Sequence, residues 1–326
     1  MAHSRQNAIL LQDNLNKILD GKYKSSYSGG MNKLPLETRV RILNLLVEGS
    51  SLRSISRVCD VSINTVTKAL VDAGRVCAAF HDAKVRDVKA KRVQCDEIWT
   101  FTYAKQKHVA TAKRKDLAYG DTWTWTGIEG ESKLIISWLV GGRDGDYAMA
   151  FMDDLRSRLA NRVQLTTDGH RAYLEAVEGA FGGDVDYAQL VKLYGESPES
   201  AKGRYSPAEC TGIRKTRIEG NPDPAHVSTS YAERHNLNMR MQMRRFTRLT
   251  TGYSKKIENH EHMVALYTVW YNWIRSHKAH RLTPAMAAGL TTRTMEMADV
   301  VNLIDDAEMK ATVQKRVALL ALPHSN

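Results

Sequence analysis

The chain has 326 residues, 43% of them hydrophobic, with a formal charge of +11 and a pI near 9.4. That length fits one to three domains, the apolar share supports a substantial core, and the charge points to a polyanionic partner. Four cysteines without a C-x-x-C pair exclude a zinc ribbon or a thioredoxin-type site, and the longest apolar run, residues 134–140, is too short to span a bilayer. Scattered thiols and a polar amino terminus lead to the expectation of a cytoplasmic, nucleoid-associated protein with no membrane and no small-molecule cofactor.

Residues 1–30 read as an arm: a short amphipathic helix carrying Ile9, Leu15 and Leu19, then a Ser/Gly linker. Residues 31–90 read as an all-α helix-turn-helix domain with a basic connector. Three short helical segments occupy 35–73, the last opened by Ser62 as an N-cap after a turn at Cys59-Asp60-Val61. In that layout the last helix lies in a major groove, and Ser62, Asn64, Thr65 and Lys68 are its candidates for base and phosphate contact. An ordinary small helical bundle gives the same pattern. Lys84, Arg86, Lys89, Lys91 and Arg92 form the connector.

Strand signals begin at residues 93–103. Residues 122–126 alternate with period two and residues 133–140 follow a Gly130 turn, so these three read as an antiparallel meander. A helix over 147–159, a strand over 162–168, a helix over 171–181 and a strand over 185–193 come next. Residues 195–227 read as an irregular insertion. A helix starts near Ser228, a longer one covers 256–277, and 291–326 form a helical tail. Three antiparallel strands, a helix, a parallel strand, a helix and a further strand are the order of an RNase H-like core, a retroviral integrase-type mixed sheet flanked by helices, over residues 91–290.

Such a core carries acids on its first and fourth strands and on a later helix. Here those positions hold Asp96 with its neighbour Glu97, Asp168, and Glu233. Asp is depleted within strands, which favours a chemical role for position 96. Alternation lets only one of Asp96 and Glu97 face a given side, and periodicity does not choose between them. Asp168-Gly169 also suits a plain turn, and Ser230-x-x-Glu233 also suits a capping box. Beyond Glu233 the residues Asn236, Arg240 and Arg244 recur at helical spacing, and Arg245 and Arg248 extend a stretch without acids. One acid at the head of a cationic face suits a metal ligand beside a phosphate-binding surface. Mg²⁺ takes oxygen ligands and keeps several waters, so few carboxylates suffice for two such ions. Trp99, Trp123 and Trp125 are candidates for stacking on an unpaired base, against the plainer role of sheet core. His260/His262 and His277/His280 read as helix-surface residues with nothing to complete a zinc site.

The segments Cys95-Asp96-Glu97-Ile98-Trp99, Thr166-Thr167-Asp168-Gly169-His170-Arg171-Ala172-Tyr173 and Tyr231-Ala232-Glu233-Arg234-His235-Asn236-Leu237-Asn238-Met239-Arg240 together resemble the bacterial insertion-sequence-one DDE transposases. The resemblance covers about residues 31–290 and places three motifs in order. It implies an acidic triad of Asp96, Asp168 and Glu233 serving as catalytic groups and metal ligands, and so selects Asp96 over Glu97. It implies Mg²⁺ or Mn²⁺, two ions, as cofactor. It also implies cleavage at the 3′ ends of terminal inverted repeats, followed by strand transfer into target DNA. Double-stranded DNA and a homodimer or higher oligomer are the expected partners. Many members of the family begin with a cysteine-based zinc module, which this chain lacks. The alternatives are a DNA-binding regulator that does not cleave and an RNase H-like nuclease that does not join strands.

Overall fold

The computed structural model describes residues 33–114, 116, 118–195, 210–247, 250–278 and 280–320. The expected arm at 1–30 and Arg248 lie outside them. The described residues from Leu36 onward belong to one compact unit.

Three helices open this unit: α1 (Leu36–Val47), α2 (Leu52–Cys59) and α3 (Ile63–Lys84). Ser51 caps α2 by accepting from Ser54 N–H (3.1 Å), and Asp60 closes it with φ 51°, a left-handed conformation that Asp tolerates. Ser62 caps α3 by accepting from Thr65 N–H (3.1 Å). The third helix runs to Lys84, eleven residues beyond the 35–73 span expected from the sequence. Val66, Leu70, Ala73 and Cys77 are all buried at helical spacing, so its inner stripe continues past Gly74.

The sheet has six strands in the order β3-β2-β1-β4-β5-β6. They are β1 (Arg92–Thr102), β2 (Gly120–Glu129), β3 (Ile135–Gly141), β4 (Gln164–Thr167), β5 (Asp186–Tyr194) and β6 (Cys210–Glu219). The first three are antiparallel, β1, β4 and β5 run parallel, and β6 returns antiparallel to β5. Helix α4 (Gly145–Arg158) links β3 to β4, and α5 (Ala172–Phe181) links β4 to β5. This is the strand and helix order of an RNase H-like α/β fold. The sixth strand corrects the reading of 195–227 as irregular throughout. Almost every residue of β6 is exposed, so no burial imposed an apolar alternation on its sequence.

Cys95 of β1 faces α4, where it closes around Gly127 of β2 with the α4 residues Phe151 and Leu155. Even-numbered residues face α6 (Ser230–Gln242) and α7 (Ile257–Val269): the Gln94 carboxamide oxygen accepts from Tyr231 N–H (2.7 Å), and Thr124 of β2 meets His260 (3.2 Å). The helix expected over 256–277 is α7 followed by one π-helical turn, Trp270–Ile274. His260 is fully buried, contrary to the surface placement expected for it. Its neighbours on α7 supply the reason: residues 263–269 are buried all round, so the helix has no polar stripe there.

Helix α3 lies along α7 at Gly74, where an added Cβ would stand 2.5 Å from His262 Cα. After a short turn of helix, α8 (Pro284–Ala287), the chain ends its described part in α9 (Met297–Leu320). That helix packs on α1 and α3 through buried Val300, Val301 and Ile304. Arg39 of α1 grips it with both guanidinium nitrogens on Asp305 (2.6 and 3.2 Å) and one on the Val301 carbonyl (3.1 Å).

Candidate active site

Pairing between β1 and β4 runs from Arg92↔Gln164 to Gln94↔Thr166 and stops there. Two residues further on, Asp96 and Asp168 flank the gap that opens. An unpaired strand edge can be reached from both of its faces. Asp96 on one face and Glu97 on the other therefore converge with Asp168, each offering a carboxylate oxygen so that all three lie within 4.8 Å of one another. Both neighbours on β1 enter the site, although alternation along the strand predicts only one.

Glu233 lines the same cleft but is not in that close cluster. Its oxygens are engaged by Lys192 Nζ of β5 (2.5 Å) and by the Thr229 hydroxyl (2.7 Å). The helix starts at Ser230 with Thr229 as its N-cap residue, so Ser230 and Glu233 do not form the capping box that their spacing suggested. The cleft, about 980 Å³, also takes in Arg143, His170, Asn236 and Arg240. Asn236 donates to Asp96 Oδ2 (2.8 Å), and the Glu97 amide donates to Asp96 Oδ1 (2.9 Å). The His170 amide donates to Asp168 Oδ1 (3.0 Å). Arg143 stands between Glu97 (3.5 Å) and Asp168 (3.6 Å), with its guanidinium 4.6 Å from the Trp123 ring centre.

The electrostatics follow from this crowding. Burial, then the charge of Asp168, pushes the Asp96 carboxyl up to about 7, against the opposing hydrogen bonds from the Glu97 amide and Asn236. Burial and Asp168 push Glu97 up to about 8, with Arg143 opposing. Glu97 Oε1 is buried, and none of the described residues hydrogen-bonds it. Three hard oxygen donors, mutually repulsive and one of them unsatisfied, fit a divalent cation of the Mg²⁺ or Mn²⁺ class.

Other expected site residues fall elsewhere. Arg244 lies past the end of α6 in a short 3₁₀ turn and so leaves the face shared by Glu233, Asn236 and Arg240. Arg245 is half-buried and turns inward, donating to Ser254 Oγ (2.6 Å) while its carbonyl accepts from Thr100 (3.1 Å); its surroundings are protein and not an open surface. Asn64 and Lys68 are exposed on the first turns of α3, with Lys68 paired to Asp72 (2.5 Å); the Ser62 and Thr65 hydroxyls bond each other (2.9 Å). Trp99 and Trp123 are half-exposed. Trp125 is fully buried against Phe151 and Tyr173, with Nε1 donating to the Gly142 carbonyl (2.9 Å), which removes it from the stacking candidates. It faces α4 and α5 from the centre of the sheet, where any large side chain is covered.

Sequence reasoning missed Arg143 and Lys192. A lone cation in Gly141-Gly142-Arg143-Asp144-Gly145, just past a strand end, was the legible signal for Arg143. Lys192 gave none, as one lysine in a strand that also holds Asp186 and Gln189.

Fold and site together define an RNase H-like α/β protein with an acidic centre at the β1/β4 edge. No protein-family model matches the chain, and no curated protein does. Among solved structures it is similar to the Mos1 strand transfer complex, at 13% identity over 53% of this chain and 63% of that one, TM-score 0.21. It is similar to a Mos1 transposase paired-end complex with the left transposon end, at 13% over 52% and 64%, TM-score 0.19. It is also similar to the piggyBac transposase synaptic complex with hairpin DNA, at 10% over 95% and 78%, TM-score 0.36. The chain thus spans less than two thirds of either Mos1 chain. Likeness at this level assigns the chain neither a family nor an activity. Among the described residues no helix is long and apolar enough to cross a membrane.

Proposed function

We propose that this chain is a DNA transposase of the DDE type. It binds the terminal inverted repeats of an insertion sequence, cuts the 3′ ends in a Mg²⁺-dependent step and transfers them to target DNA. The observation that carries the reading is the convergence of Asp96, Glu97 and Asp168 oxygens within 4.8 Å, in a cleft whose walls also carry Arg143, Lys192 and Arg240.

Asp96 and Asp168 would hold the divalent ions, with Glu97 beside them as a third oxygen donor. When bound, such ions polarise a phosphodiester and activate the attacking oxygen. The side chains do the rest. Asn236 fixes the Asp96 carboxylate through Oδ2 and the Glu97 amide fixes it through Oδ1, so its free lone pairs point one way. Arg143 tempers the repulsion between Glu97 and Asp168 and offers remaining donors to a phosphate. Glu233 is the third acid of the proposed triad, and Lys192 holds it at the cleft wall. Arg240 adds positive charge along the path of the DNA backbone.

In this reading the exposed start of α3, with Asn64 and Lys68, contacts the repeat in its major groove. Handling two ends together calls for a homodimer or larger assembly, working in the cytoplasm on nucleoid DNA.

The deciding experiment is Asp168→Asn. The variant is expected to bind end-sequence duplex like the parent and to lose Mg²⁺-dependent nicking and joined products. Substantial residual nicking removes Asp168 from the site. Nicking by the parent without any joined product makes the protein a nuclease.

A further inference from the structure

Strand β1 leads from the acidic edge to a second cleft. At its far end Tyr103 has φ 62°, a conformation that bulky residues rarely adopt. Its amide donates to the Ser254 carbonyl (2.8 Å), and its ring stacks on Tyr119 at 4.2 Å. Beside it opens a cleft of about 490 Å³ between the 103–113 segment and residues 253–255. Tyr103 and Tyr253 supply the aromatic walls, and His108, Lys113 and Lys255 the polar rim.

Among the described residues no carboxylate lines this cleft and none pairs with Lys113 or Lys255. From Ile98 to Arg114 the sequence has Lys105, Lys107, Lys113 and Arg114 and no acid. The charge is therefore uncompensated where the rings are open.

An aromatic path joins the two sites. Glu97, Trp99 and Phe101 share one face of β1 by alternation. The Trp99 and Phe101 rings lie 5.9 Å apart, and Phe101 and Tyr253 lie 4.7 Å apart. All three rings are half-exposed. Seven residues of strand separate Asp96 from Tyr103, about 23 Å at the usual rise.

We infer that this cleft and the path leading to it form a binding site for an unpaired nucleic-acid strand, with bases stacked on Tyr253 and its neighbours and phosphates met by Lys113 and Lys255. Duplex DNA keeps its base faces covered by their own stack. Half-exposed rings in series with a cationic rim suit a strand whose bases are free. The site stands whether or not the acidic cleft cuts DNA.

Fluorescence anisotropy on the intact chain, with EDTA present, tests this using a labelled oligothymidylate and a duplex of the same length across a salt series. Tyr253→Leu is expected to weaken oligothymidylate binding by about 5- to 150-fold without changing the salt slope. The Lys113→Ala/Lys255→Ala double variant, altered only at exposed positions, is expected to flatten that slope by about 1.4. Parental binding of oligothymidylate by both variants overturns the site. An equal loss on duplex and single strand also overturns it, because the surface would then read only backbone. Mg²⁺-dependent cleavage is scored separately. Strand binding without cleavage sinks the transposase reading and leaves this one intact.

Discussion

Gly74 offers a test whose sign alone is decisive. In the interior of a helix, Gly→Ala ordinarily stabilises by about 1 kcal/mol, because alanine has less backbone freedom to lose. At Gly74 the new Cβ would stand 2.5 Å from His262 Cα and 2.7 Å from its carbonyl oxygen, whereas ordinary contact begins at 3.4 Å. Both opposing atoms are backbone, so neither can rotate aside, and α3 and α7 must separate by nearly an ångström. Overpacking of this kind costs about 1–3 kcal/mol, and a clash with rigid backbone belongs at the upper end. Net destabilisation of about 2 kcal/mol is expected, read as a lower urea midpoint at unchanged slope. Gly179, near the end of α5, is the control: a Cβ there meets nothing within 4 Å, so Gly179→Ala should stabilise by up to about 1 kcal/mol. If Gly74→Ala proves as stable as the parent or more so, the two helices do not meet there, and the account of how α3 is anchored is wrong.

Acid should weaken the fold through its buried imidazoles. Burial pushes His81, His235 and His260 down to about 3 from an ordinary 6.5, so only the unfolded chain takes up these protons between the two values. Each histidine then removes about 2 kcal/mol of stability between pH 7 and pH 5, while the raised carboxyls of Asp96 and Glu97 act in the opposite direction. His260→Gln isolates one contribution: its plot of unfolding free energy against pH from 4 to 6 should rise less steeply by about 1.4 kcal/mol per pH unit, and an unaltered slope would mean that His260 is not buried neutral. Divalent metal should also register without any cleavage assay. Mg²⁺ or Mn²⁺ at a hundred times its dissociation constant is expected to add about 2.7 kcal/mol to the parent and raise its melting temperature. Asp96→Asn should lose that rise, and a rise of equal size in the variant counts against Asp96 as a ligand.

The sequence disclosed those parts of the molecule whose burial is one-sided or complete. Residues 122–126 alternate threonine with tryptophan because the two faces of β2 meet different helices, Thr124 toward α7 and Trp125 toward α4 and α5, and residues 134–140 are apolar because β3 is largely covered. β6 left no such trace, since hydrogen bonds to β5 hold it while its side chains stay in solvent. The length of α3 was obscured by Gly74, which looks like a breaker and serves as a point of close approach. Within the site, Asp96 was legible as an acid inside a strand, where Asp is depleted, and Asp168 as an acid at a strand end. The entry of Glu97 was not, because alternation tells which face a side chain takes but not that the edge left open beyond Gln94↔Thr166 lets both faces reach one site. That Glu233 would be tied to Lys192 depends on how α6 lies against β5, and no local pattern encodes that.

The clasp between Arg39 and Asp305 joins groups 266 residues apart. A ribosome adding about 5–20 residues per second needs roughly 13–53 seconds to make the intervening chain. Throughout that interval the apolar side of α1 that Val301 will cover has no lid, so α1 and α3, made before the sheet, are completed only after it. A nascent chain of this protein therefore carries an unfinished bundle of α1 and α3 until α9 has been made.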